Sequence, residues 1–369
     1  MTIDESSPAD LASWQLESDI KDATRRSLSR HRPILHHLNA DTSWLLQIPR
    51  PAFSTPGRAY FNILIDPWFK GPQADVASWF SQQTHAIASA IQSIAEVEEL
   101  ILRVENAIGS PFGIQEELGA SAIDAIAISH EFTDHCHMET LLEVRPDVAV
   151  FASPEAAKLI TSWNHFDSVH ETPVFAGRGF DWHRTSIRPL PHWVGISRLQ
   201  SDGDFVYYHS ALLVSFHSSE VAYEPVSGTR DSLDPGGPAE CVIYTPHGIH
   251  PEAALPVLAA SPALRPLALC HGMHDVRLSK AQQLNLGGHN GLAAQRILKS
   301  RYWVATHDEI KKGGGIVAWF LQRKIISLED ALNEEAERLK AQSGNGELSL
   351  TMEDAHFRLV ENGESIVLE

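Results

Sequence analysis

The sequence predicts an α/β protein whose chemistry gathers at the ends of strands, and three observations carry that reading. Short apolar, β-prone runs such as Tyr60-Phe61-Asn62-Ile63-Leu64-Ile65 and Val148-Ala149-Val150-Phe151-Ala152 alternate with stretches of helical character. One such run, Ala125-Ile126-Ala127-Ile128, leads directly into Ser129-His130-Glu131-Phe132-Thr133-Asp134-His135-Cys136-His137, where three imidazoles and two carboxylates fall within eight residues. Single histidines then close later runs, His247 after Cys241-Val242-Ile243-Tyr244 and His307 after Tyr302-Trp303-Val304-Ala305-Thr306.

Residues 1 to about 33 read as a polar, partly helical lead-in, with Leu11, Trp14, Leu16 and Ile20 near helical spacing. From Asn39 the pattern changes to two β-prone runs, residues 42–48 and 60–66, separated by a loop rich in Pro, Ser and Gly, which suggests an opening strand pair. Asp66-Pro67-Trp68 ends the second strand. Residues 75–94 hold helical periodicity only in part, and Ile101-Leu102-Arg103-Val104 is short and ambiguous. Behind the cluster, Met138-Glu139-Thr140-Leu141-Leu142 begins a helix and residues 147–152 return to a strand. That makes a β-loop-α-β unit with the cluster at the carboxyl end of its first strand, where ligand sites of α/β sheets tend to lie. Ser153 and Pro154 read as N-cap and first residue of the next helix.

From about 172 to 250 the chain is strand-rich, with strands or strand ends at 186–193, 205–209, 211–216 and 241–244 and an exposed loop at 226–239. An α/β alternation returns with a strand at 267–270, a helix at 291–299 capped by Asn290, and a strand at 302–306. Residues 328–342 form an amphipathic helix, and residues 357–368 read as a hairpin turning at Asn362-Gly363. The organisation is then an N-terminal extension (1–37), a main domain (38–327) and a C-terminal helix and hairpin packed on it (328–369).

Composition narrows the function. The 369 residues are 43% hydrophobic, enough for a substantial core. Lys plus Arg total 29 against 47 for Asp plus Glu, a formal net charge of -18 that repels nucleic-acid phosphates and anionic lipid surfaces. The expected partner is a small-molecule substrate, with neither nucleic acid nor membrane; Trp14 and the apolar residues beside it leave room for a homo-oligomer. Three cysteines, Cys136, Cys241 and Cys270, make no disulfide framework and point to a reducing compartment. The acidic start Met1-Thr2-Ile3-Asp4-Glu5-Ser6 lacks the order of a signal peptide, so the expected location is the cytoplasm.

Histidine and aspartate supply nitrogen and oxygen lone pairs suited to zinc, iron or manganese, and a loop leaving a strand can turn positions i, i+4 and i+5 toward one point. The order of strands and histidines resembles the metallo-β-lactamase superfamily. Residues 129–135 look like that family's His-x-His-x-Asp-His motif with Phe132 in place of the second histidine; Leu64-Ile65-Asp66-Pro67 looks like its second strand and turn. His192, in Pro189-Leu190-Pro191-His192, is similar to its later histidine and His307 to its final one, while His247 stands where the family carries an aspartate.

The resemblance covers roughly residues 38 to 310 and implies a four-layer αββα sandwich, closest to the lactonase-like and phospholipase-like intracellular branch. It implies metal ligands among Asp134, His135, His307, His247, His130 and His192. Phe132 removes a ligand from the first metal's group, whereas Asp134, His135 and His307 keep the second group intact, so one divalent ion per chain is expected, zinc first, with iron or manganese as alternatives. His247 is a candidate fourth ligand, and His130 and His192 are candidate ligands or proton carriers beside Asp134 in a catalytic set. The expected reaction is hydrolysis of an ester, lactone, amide or phosphodiester by metal-activated water. Two histidines and a carboxylate also serve mononuclear non-haem iron oxygenases, and a degraded site reused for binding is the third reading.

Lesser candidates are Cys136 as nucleophile or packer, the loop Cys270-His271-Gly272-Met273-His274-Asp275, the helix start Gly287-Gly288-His289-Asn290 as an anion site, and Lys311-Lys312-Gly313-Gly314-Gly315 as a basic loop. Trp68, Phe69, Trp193 and Trp303 line either a pocket or the core.

Overall fold

The computed structural model describes residues 32–51, 58–74, 81–107, 120–200, 208–217, 239–279, 282–314, 319–343 and 353–369. The lead-in before residue 32, most of the expected strand at 205–209 and the loop at 226–238 lie outside these residues.

An antiparallel meander comes first: β1 (Ile34–His37), β2 (Trp44–Pro49) and β3 (Tyr60–Ile65). A short β4 (Gln82–Thr84) and helix α1 (Ile94–Ala107) precede β5 (Ala125–Ile128), the helical turn α2 (Met138–Leu141), β6 (Ala149–Ala152), α3 (Pro154–Ser162) and β7 (Val169–Glu171). The second half runs β8 (Val194–Leu199), β9 (Ala211–His217), β10 (Ala239–Thr245), α4 (Leu255–Leu258), β11 (Leu264–His271), β12 (His274–Leu278), β13 (Gln282–Asn285), α5 (Gly288–Leu298) and β14 (Tyr302–Val304). It closes with β15 (Lys312–Gly314), β16 (Leu321–Ile325), α6 (Leu328–Ser343), β17 (Phe357–Arg358) and β18 (Ser365–Val367).

Two sheets dominate, one of seven strands in the order β18-β1-β2-β3-β5-β6-β7 and one of six in the order β17-β14-β11-β10-β9-β8. Period-two alternation assigns each strand residue to a layer. On β2, Trp44, Leu46 and Ile48 face the second sheet, while Leu45 faces outward beneath Ile94, Val97 and Ile101 of α1 and Ile160 of α3. On β9, Leu212, Val214 and Phe216 join the central core, and Leu213 faces Val257 of α4 and Leu298 of α5. The order is helix, sheet, sheet, helix. The parallel strands β5 and β6, and β10 and β11 over Cys241–Tyr244 and Leu267–Cys270, are buried on both faces, which is why these stretches read as unbroken apolar runs.

Several expectations are corrected. Residues 101–104 belong to the helix α1, whose buried stripe Ile94, Val97, Ile101 and Val104 shows helical spacing only when followed beyond four residues. Helix α5 begins at Gly288 behind Gly287, so Asn290 lies inside it. Residues 186–193 form a turn that leads into β8, and the strand starts at Val194. The expected hairpin at 357–368 is absent: β17 pairs with β14 in one sheet and β18 with β1 in the other. Both strands extend existing edges, a long-range choice that the local Asn-Gly turn does not encode.

A polar row crosses the first sheet. The Gln47 amide nitrogen donates to Asn62 Oδ1 (2.9 Å), so Gln47 Oε1 accepts from His36 Nε2 (2.8 Å), and His36 Nδ1 is left to accept from the Ser365 hydroxyl (2.6 Å). Burial lowers the His36 pKa from 6.5 to about 4, against the opposing hydrogen bond to Gln47. The folded chain therefore binds fewer protons here than the unfolded one, and this stability is complete above pH 6.5 and lost as the pH falls toward 4. Between those values His36 alone is expected to remove roughly 3 kcal/mol. Urea unfolding of the wild type and of His36→Gln at several pH values checks this. The variant should lose less stability across the window; parallel profiles would contradict the assignment.

Candidate metal centre

The site forms where strands end. β3 runs into Asp66, β5 into Ser129 and His130, β10 stops two residues before His247, and β14 stops three residues before His307, while Asp41 precedes β2. These ends share one edge because β3 and β5 are parallel, as are β10, β11 and β14. Hydrogen bonds between the sheets fix that edge: Tyr244 hydroxyl to Thr42 carbonyl (3.0 Å), Trp44 Nε1 to Thr306 hydroxyl (2.9 Å) and His307 amide to Asp41 carbonyl (2.9 Å).

Two residues here adopt left-handed backbone although neither is glycine, Asp66 at φ 42° and His307 at φ 57°. Such conformations cost of order 1–3 kcal/mol and persist when the surroundings over-determine them. The Asp66 carboxylate accepts from the Ser129 amide (2.7 Å), the Ser129 hydroxyl and His135 Nδ1 (2.8 Å), and the His307 amide and ring are both tied to Asp41.

Three imidazoles stand nearly equidistant, with ring centroids 4.9 Å (His135 to His247), 5.0 Å (His135 to His307) and 5.1 Å (His247 to His307) apart; His130 adds a fourth, 4.6 Å from His247 and 5.3 Å from His135. The first three are each held at Nδ1 by an oxygen: His135 by Asp66 (2.8 Å), His247 by Asn285 (2.9 Å) and His307 by Asp41 (3.1 Å). This leaves Nε2 as the ring atom available to a ligand. Nε2 of His135 and of His247 are buried without a hydrogen-bond partner. An unpaired buried polar atom costs about 1–3 kcal/mol, and an electrophile between the rings would satisfy both. Ligating atoms of His130, His135 and His247 lie within 4.8 Å of one another, and so do those of Asp134, His135 and His307. The donor set fits a divalent ion.

Electrostatics agree with that use. Burial, reinforced by His130, His135 and His307, holds the His247 pKa well below the usual value, so the ring is neutral. Burial likewise lowers His307. Burial opposes a charge on His135, yet Asp134 and Asp66 together raise its pKa. Burial pushes Asp134 upward, but Lys311, His135 and His307 hold its carboxylate well below its ordinary range. The Lys311 ammonium donates to Asp134 Oδ2 (2.6 Å) and pairs with Asp41 Oδ2 (2.7 Å), its side chain 4% exposed.

Four layers, with two ligand sets at the edge where the sheets meet, decide the architecture. The fold is a four-layer αββα sandwich, the architecture that the metallo-β-lactamase resemblance implies. Solved structures of similar shape include an isothiocyanate hydrolase from Delia radicum gut bacteria (TM-score 0.47, 12% identity, 91% of this chain and 99% of that one). A possible metal-dependent hydrolase from Veillonella parvula gives a TM-score of 0.49 at 13% identity, over 91% of this chain and 100% of that one. A metallo-β-lactamase fold protein from Bacillus subtilis gives 0.37 at 13% identity, over 91% and 99%. No protein-family profile and no curated protein matches the sequence.

Within this sandwich His130, Asp134, His135, His247 and His307 come together as expected. His192 does not. It lies exposed in the turn before β8, whose six residues separate it by about 20 Å from the edge that Leu199 reaches. β8 runs in the same direction as β10, so its carboxyl end faces the site and its start faces away. Phe132 stacks on Tyr208 (5.1 Å) and stands edge-on to His247 (5.8 Å), an apolar wall where the resemblance expects a ligand.

Cys136 is a buried packer whose thiol burial pushes its pKa far up. His271 is bonded to Asn290 and Gly272, and the start of α5 packs on Met273, so neither offers a site. Trp193 and Trp303 belong to the core, while Trp68 lies 5.3 Å beneath the Lys311 ammonium. Asp41 and Asn285 escaped the sequence reading, and Lys311 entered it only as part of a basic loop. Asp66 was visible only as a strand end before proline.

Gly248 positions His247. Its φ is 85°, and a Cβ there would lie 2.7 Å from Leu286 Cβ and 3.0 Å from His271 Nε2. Gly248→Ala should cost about 1–3 kcal/mol in urea unfolding. Gly177→Ala, at φ 89° with nothing within 4 Å, isolates the backbone contribution and should cost less. Equal losses would remove the steric argument.

Proposed function

We propose that the chain is a metal-dependent hydrolase of the metallo-β-lactamase superfamily, cleaving an ester, lactone, amide or phosphodiester bond of a small molecule. The observation that carries this reading is the pair of buried, unpartnered Nε2 atoms on His135 and His247, each ring fixed from behind at Nδ1. His130, His135 and His247 would hold one divalent ion, zinc by its preference for three imidazoles with an open position. When bound, such an ion polarises a carbonyl or phosphoryl oxygen and lowers the pKa of water toward neutrality.

The chain's own residues supply the rest. Asp66 takes the Ser129 hydroxyl proton, so the Ser129 oxygen, 2.8 Å from His130 Nδ1, accepts the proton of that ring nitrogen. With Nδ1 so held, His130 Nε2, 3.2 Å from the Tyr208 carbonyl, is the ring atom that would reach the ion. Phe132 and Tyr208 offer an apolar wall for the substrate's non-reacting part. Asp66 positions both His130, through Ser129, and His135.

A second reading keeps the two-histidine, one-carboxylate set Asp134, His135 and His307 as a mononuclear iron site for redox chemistry. The Lys311 ammonium on Asp134 Oδ2 weighs against it. Three free, buried cysteines suit the reducing cytoplasm proposed for the chain.

Metal analysis and an ester, lactone and phosphodiester panel test the proposal. The purified chain should carry zinc, lose hydrolysis on chelation and recover it with zinc. His135→Ala, common to both ligand sets, should abolish binding, and Asp66→Asn should weaken zinc about 10- to 100-fold in a competition titration while the chain stays folded. Hydrolysis that continues at full rate in metal-free protein would end this reading; stoichiometric iron with oxygen consumption would favour the second.

A further inference from the structure

We propose that Lys311 is a built-in cation that occupies the second metal position of this centre, so that the native chain accepts a single divalent ion. The inference rests on the reading of the histidine cluster as a metal site and deepens it.

The two ligand sets share His135 and diverge from it. In one, His130 and His247 face the shared ring, with no carboxylate in the set. In the other, Asp134 Oδ1 lies 3.6 Å from His135 Nε2 and Oδ2 3.9 Å from His307 Nε2, so the carboxylate spans the two imidazoles that would share an ion. Its Oδ2 receives the Lys311 ammonium at 2.6 Å. The ammonium also pairs with Asp41 Oδ2 at 2.7 Å and lies 5.3 Å from the Trp68 ring centre. Two carboxylates and an aromatic face surround one nitrogen, and the side chain is 4% exposed. A divalent ion on Asp134 Oδ2 would compete for the ammonium's main partner and stand beside its charge. Lysine supplies a point charge of about an ion's size on a flexible stem, which suits the substitution.

Charge balance points the same way. Asp41, Asp66 and Asp134 are the carboxylates that touch the histidine cluster. One ammonium and one divalent ion neutralise three carboxylates. A second divalent ion beside Lys311 leaves the buried cluster with two excess positive charges.

The test is zinc stoichiometry, read by calorimetric titration and by metal analysis after dialysis, on the full chain, on Lys311→Met and on Lys311→Met combined with Asp134→Asn. The expected values are one ion for wild type, two for Lys311→Met and one for the double variant. Metal-free Lys311→Met should melt below wild type and gain more from added zinc. Two ions in wild type, or one in Lys311→Met, would overturn the proposal. If wild type binds none, the hydrolase reading fails by itself: one ion in Lys311→Met that the double variant loses would still uphold the lysine's role, and none in either would sink it. Should Lys311→Met fold only with zinc, two bound ions in the refolded chain support the inference; a chain that stays unfolded in zinc overturns it.

Discussion

Three carboxylates buried at one edge, Asp41, Asp66 and Asp134, set the terms for everything around them. An uncompensated buried charge costs several kcal/mol, and each of these is compensated differently. Asp66 is satisfied mostly within its own sheet, by the amide and hydroxyl of Ser129 and by His135. Asp41 and Asp134 are satisfied across the sandwich, because His307 and Lys311 both follow β14 of the second sheet. Both carboxylates would lose these partners if the sheets separated at this end. The packing of the two sheets and the electrostatics of the site are therefore one problem, and the bonds from Tyr244 and Trp44 to the opposite sheet solve its geometric half.

The same constraint explains the strain. Asp66 and His307 take left-handed backbone at the points where a strand must turn sharply enough to bring a side chain back over its own end. Glycine would relax the backbone but remove the carboxylate or imidazole. The cost is met by contacts on both the backbone and the side chain of each residue, so shortening either side chain loses part of what holds the strained backbone.

Much of this was legible in the sequence wherever a chemical residue directly follows a buried run. Ile126 to His135, Tyr244 to His247 and Val304 to His307 show strand and ligand within a few positions, and the four-layer sandwich follows from those strands and their resemblance to a known motif. His192 was misplaced for a specific reason. A histidine near an apolar run announces a strand end, but not which end, and direction is settled only by pairing with β9 and β10. The tail failed similarly, since Asn362-Gly363 encodes a turn while β17 pairs with β14, 54 residues back (Trp303 with Phe357), and β18 with β1, 333 residues back (Ile34 with Val367). Asp41 and Asn285 carry no local signal. Lys311, in a run of lysines and glycines, reads as a solvated turn, and only the two carboxylates it meets, far off in sequence, make it a buried cation.

The departures from the resembled motif form one consistent set. His247 stands where a carboxylate would be expected, and Lys311 places a positive charge on Asp134 nearby. A carboxylate at position 247 would add a fourth buried negative charge and call for a second divalent ion. Neutral His247, held against Asn285 and surrounded by three other imidazoles, lowers the negative charge that cations must balance. Phe132 completes the change: in place of a ligand it stacks on Tyr208 and closes an apolar flank against His247. A neutral imidazole at 247 and a fixed ammonium on Asp134 both lower the cationic charge this edge calls for, in line with the single ion proposed for it, while Phe132 shapes the flank without changing that balance.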